Sequence, residues 1–126
     1  MASDLPGSSG AASTGTVCAS AATVTPMPAA VASIPLPSGV VPYAVEDRGS
    51  AGTVITAVSA ASMNVVLGQL NKAYRSGGFS ITSGETDDHD AEADWKHGGQ
   101  VGRWAIRDLA SQCGGSGTSV QVLVSP

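Results

Sequence analysis

The chain has 126 residues, enough for one domain, with a formal net charge of -4 and only 6 Lys plus Arg. So few cations argue against nucleic acid, which draws on a basic stripe, and against anionic membranes, which attract polybasic patches. No run of 18 apolar residues occurs, so no transmembrane helix is expected.

From Met1 to Ser38 the single charge is Asp4, and most other residues are Ala, Ser, Thr, Gly or Pro. Such a segment offers little apolar surface to offset the entropy of ordering it. Residues 1–34 are therefore expected to form a low-complexity tether or extended arm, and 35–126 a single α+β domain. "MASDLPGSSG" lacks the basic start and apolar stretch of a signal peptide. A signal or lipid anchor is expected to have been removed ahead of it.

Val40 to Glu46 reads as a strand, confined by Pro42 to an edge or a bulge. "DRGSAG" is turn chemistry, and "TVITAVS", Thr53 to Ser59, is a β-branched strand that pairs with the first. "SMNVVLGQLNKAYRSGG" predicts a helix. Met63, Val66, Leu67, Leu70, Ala73 and Tyr74 recur at the three-and-four spacing of a buried stripe, with Ser62 as N-cap and Gly77 or Gly78 as the stop. "FSITSGE" follows as a strand, and "TSVQVLVS" ends the chain with Val120, Val122 and Val124 on one face. The order β-β-α-β-β-β-β implies an α+β fold: an antiparallel sheet of five to six strands with one helix packed on one face.

Between these strands lies "HDAEADWKHGGQVGRWAIRD", His89 to Asp108, which holds both tryptophans. Gly98-Gly99 is a two-residue hairpin turn, which requires positive φ. That turn fixes the register, with paired residue numbers summing to 197. Asp94 then faces Arg103 and Asp90 faces Arg107 on the wet side. On the other side Ala93 meets Trp104, Ala91 meets Ile106 and Trp95 lies across from Gly102. Large residues thus oppose small ones.

This register weakens a metal reading of the acidic run. His89 and His97 stand eight residues apart on one strand, roughly 27 Å at strand rise, and cannot share an ion. "DDHDAEAD" alternates like a calcium loop, but Ala93 occupies the position that needs glycine. Asp87, Asp88 and Glu92 remain as weak candidates, and no metal or other cofactor is expected. No nucleophile elbow, HExxH, GxGxxG or phosphate loop occurs. No catalytic residue is assigned.

Cys18 and Cys113 sit in "STGTVCAS" and "SQCGGSG", away from any apolar face and without zinc-ligand spacing. One long-range disulfide is expected, which the chain-entropy model values at about 4–5 kcal/mol. It implies an oxidising compartment.

The Ala/Gly/Ser/Thr-rich stretch ahead of an α+β domain resembles small exported or lipid-anchored envelope proteins of high-GC bacteria. That resemblance is compositional; it implies an extracytoplasmic location and transfers no site residue. The function expected is a non-enzymatic extracytoplasmic binding or interaction module for a small apolar ligand or a protein. Its groove would lie between sheet and helix, lined by Leu67, Leu70, Tyr74, Trp95 and Trp104. The alternatives are a structural protein pairing through an exposed sheet edge and a small hydrolase with a spatially assembled site.

Overall fold

The computed structural model describes residues 17–126. Six strands form one antiparallel sheet: β1 (Val40–Asp47), β2 (Thr53–Ser59), β3 (Ser80–Thr86), β4 (Asp90–His97), β5 (Gln100–Asp108) and β6 (Thr118–Val124). Their spatial order is β1-β2-β6-β5-β4-β3. The one α-helix among the described residues, α1 (Met63–Ser76), connects β2 to β3 across one face. This is the α+β architecture that the element order implies. The β1–β2 pairing shifts register around Tyr43, beside Pro42, as a proline in an edge strand favours.

The helix ends as its sequence suggests. Gly78 takes a φ of 83°, its N–H donates to the Arg75 carbonyl, and the Phe79 N–H donates to the Tyr74 carbonyl. This pair of bonds is a Schellman motif. Its usual apolar clasp is present, with the Phe79 ring edge-on to Tyr74 at 5.1 Å between centroids. At the other end Ser62 is the N-cap by backbone conformation alone, with no capping hydrogen bond from its hydroxyl.

The β4–β5 hairpin has the expected register. Asp90, Ala91, Ala93, Asp94 and Trp95 pair with Arg107, Ile106, Trp104, Arg103 and Gly102. Only Gly98 of the turn needs positive φ, at 61°. One face of the hairpin carries Ala91, Ala93, Trp95, Trp104 and Ile106, all buried against α1 and the other strands. A Cβ on Gly102 would overlap the Trp95 ring and the Leu123 carbonyl oxygen. The glycine is there because the indole lies across it.

The core reaches further upstream than residue 35. Val31 and Ile34 are buried in the main cluster, and Met27 and Leu36 pack against it. The expected boundary at residue 35 therefore moves, because isolated apolar residues in the arm join the main cluster. Residues 1–16 of the expected tether lie outside the described residues. Further along, the Thr25 N–H donates to the Pro42 carbonyl at 2.8 Å, so the arm lies along the outer edge of β1. Cys18 is disulfide-bonded to Cys113, 95 positions away. Val54, Val58 and Leu109 are buried but belong to no part of the main cluster. In β2 the residues between them in sequence, Ile55 and Ala57, face the main core. Val54 and Val58 thus face the opposite side of the sheet.

Candidate functional site

The five side chains expected to line a groove are core instead. Leu70, Tyr74, Trp95 and Trp104 are buried, and Leu67 is half-buried against the same cluster. Trp95 sits 5.9 Å from Tyr74 and 5.1 Å from Phe79, centroid to centroid. With so few aromatics in the chain, the sheet–helix layer uses them as filling. The Tyr74 hydroxyl and the indole nitrogens of Trp95 and Trp104 are buried, and among the described residues they have no hydrogen-bond partners. Burial raises the Tyr74 hydroxyl far above the ordinary tyrosine value.

The acidic run forms the wet face of the hairpin. The Arg103 guanidinium donates to Asp94 through Nε and to Glu92 through Nη1, both at 2.7 Å, and the Ser83 hydroxyl donates to Asp94 at 2.8 Å. Arg103, then Ser83, hold the Asp94 carboxyl below its usual range. The guanidinium fork serves two carboxylates, whereas Asp90 and Arg107 are register partners without a direct ion pair. Asp87 and Asp88 lie in the β3–β4 turn, where the Asp87 carboxylate accepts from the Asp88 N–H. Glu92 is committed to Arg103, and among the described residues no three His, Cys, Asp or Glu side chains converge on a metal-sized site. His89 stands 3.7 Å from Asp108 at one end of β4, and His97 stacks on Phe79 at 4.1 Å at the other.

A different concavity lies on the face of the sheet away from α1. It is a trough of about 510 Å³ that crosses β3 to β6 at the end bearing the β4–β5 turn. Its floor is main chain, because positions 95 and 102 both face the core: Trp95 is buried there, and a side chain on Gly102 would meet its ring. One wall is the row Asp94, Arg103 and Leu123; the other is Lys96, Val101 and Ser125. The register explains both rows, since Asp94 pairs with Arg103, Arg103 with Leu123 and Lys96 with Val101. The Val101 N–H donates to the Ser125 hydroxyl at 3.0 Å, which extends the second wall beyond β6. Val101 and Leu123 are 47% and 42% exposed, two of the few large apolar side chains left open. Four strands at sheet spacing give the trough a length of about 14 Å.

The sequence carried a signal for this site that hydrophobic alternation hid. Val101 falls opposite Lys96 in the hairpin register, and Leu123 is out of phase with Val120, Val122 and Val124. Each places an apolar side chain on an otherwise polar face.

No family model, curated protein or solved structure matches this chain.

Proposed function

We propose that this protein is an extracytoplasmic, non-enzymatic interaction module that holds an apolar group of its ligand in the trough on the open face of the sheet. The observation that carries this reading is the trough itself: a main-chain floor, exposed Val101 and Leu123 on opposite walls, and the Lys96 ammonium at its rim. Exposed apolar side chains flanking a concavity supply the apolar contact that a binding cleft offers its ligand. The length of about 14 Å suits a short extended peptide or an aliphatic chain, and Lys96 favours an anionic end. The Cys18–Cys113 bond supports an oxidising compartment.

The test uses anilinonaphthalene sulfonate, an apolar anion, as the probe. The protein binds it at a single saturable site, with amide shifts centred on Val101, Gly102 and Leu123. Val101→Glu or Leu123→Glu weakens it about fivefold or more, while their exposure leaves the melting temperature little changed. Binding that neither substitution alters refutes the assignment.

A further inference from the structure

We propose that the free edge of β3 is a docking strand that takes up an extended, basic segment of a partner protein as a seventh strand. The two edges of the sheet are finished differently. The β1 edge contains Pro42 and a register shift, and it is covered by the arm through the Thr25–Pro42 hydrogen bond. Proline, bulges and covering segments are the ordinary protections of an edge strand. Strand β3 pairs only with β4, and among the described residues no other segment's backbone bonds to it. All of its residues except Ile81 are exposed. It contains neither proline nor lysine. Its one irregularity, at Thr82, leaves Ser83 to Thr86 in regular pairing. Ser83 and Gly84 are small enough to let a second backbone approach.

Charge selects the occupant. Glu85, Asp87, Asp88 and Asp90 are exposed on this strand, the turn that follows it and the first position of β4. Their neighbours Glu92 and Asp94 are bonded to Arg103, whereas these four have no ion pair to a described Lys or Arg. A second copy of this chain would set these carboxylates against their own equivalents, which disfavours self-pairing. A strand with alternating lysines or arginines meets the unpaired backbone groups and the carboxylates together. Main-chain pairing supplies affinity in this mode, and the side chains supply selectivity.

The experiment uses the full chain and the capped peptide Ac-Lys-Val-Lys-Val-Lys-NH2, followed by amide chemical shifts and hydrogen exchange. Two controls separate the contributions. Replacing Val by Pro keeps the charge but removes the backbone donors a ladder needs, and replacing Lys by Glu keeps the ladder but reverses the charge. The Lys-Val peptide shifts and protects the amides of residues 83–86, and both controls bind about tenfold or more weakly. Glu85→Lys reverses the preference between the Lys and Glu peptides, and raising salt from about 0.05 to about 0.5 M weakens the native complex. Equal binding of the Pro peptide overturns the proposal in favour of simple charge attraction. Shifts confined to Val101 and Leu123 overturn it in favour of the trough. A concentration-dependent dimer formed through residues 83–86 without peptide overturns it in favour of a second copy.

Discussion

Replacing Gly102 with alanine tests the core and the register together. The new Cβ falls inside contact distance of two atoms of the Trp95 ring, one of them Cε2 at 2.6 Å, and of the Leu123 carbonyl oxygen. The ring cannot retreat, because Tyr74 and Phe79 pack against it. The carbonyl belongs to β6, which pairs with β5 along its whole length. Overpacking of this kind costs about 1–3 kcal/mol, and disturbing a ladder hydrogen bond costs about 1 more. Restricting the unfolded chain returns about 0.4–1 kcal/mol. The net loss is about 1–3.5 kcal/mol, which for a domain of this size lowers the melting temperature by roughly 5–15 °C. Gly68→Ala is the matched control: it lies in α1 with nothing near its Cβ position, and it should gain about 1 kcal/mol. Trp95→Phe added to Gly102→Ala should cost less than the two separate losses together, since a smaller ring leaves room for the methyl. Urea and thermal unfolding with the disulfide intact measure all four variants. If Gly102→Ala is neutral, the indole does not lie across residue 102 and the packing described here is wrong.

Tyr74→Phe should leave stability unchanged or raise it by up to about 1 kcal/mol, because the hydroxyl it removes is buried without a partner among the described residues. The raised native pKa of Tyr74 means that its contribution is complete below the ordinary tyrosine value of 10.0 and is lost as pH rises beyond it. Unfolding curves between about pH 9 and 11 should therefore steepen in their decline for the native chain and flatten for the variant. On the wet face, Asp94→Arg and Arg103→Asp should each lower the melting temperature, and the double exchange should recover most of the loss, less so in high salt. Arg103→Asp should be the worse of the two, since it also strands Glu92. The lowered pKa of Asp94 puts its contribution above the usual carboxylate range and removes it as pH falls through the lowered value, so acid titration of Asp94→Asn should lack that step. Equal single losses with no recovery would mean that the two groups are not partners.

The hairpin was legible in the sequence because one turn fixes every pair in it. Once Gly98 and Gly99 are placed, the charges and the large-small pairs follow by counting. The disulfide was legible because neither cysteine had an apolar face to join. Val31 and Ile34 were not, since single apolar residues among Ala and Pro have no period, and their burial is set by packing against residues distant in sequence. The groove lining was misassigned for a related reason. Leu70, Tyr74, Trp95 and Trp104 are among the bulkiest residues on the inner faces, and a chain rich in Ala, Gly and Ser needs all of them to fill its core. The trough is made by what two neighbouring rows leave between them, above a glycine and an inward tryptophan. It depends on the order of strands in the sheet, which places β6 beside β5, and hydrophobic period cannot supply that order.

The Cys18–Cys113 bond also decides how the molecule would respond to being pulled. Tension applied between a point upstream of Cys18 and the end of β6 passes across the sulfurs to Cys113 and never enters the segment between them. The arm, β1 to β5 and α1 all lie inside that covalent loop and are not drawn out. Only β6 follows Cys113, and it lies between β2 and β5 with seven paired residues on each side. Extension must shear two ladders at once. In an attached protein the oxidised chain would therefore yield at its central strand alone, whereas reduction would let the same tension peel away the arm first and then the β1 edge beneath it.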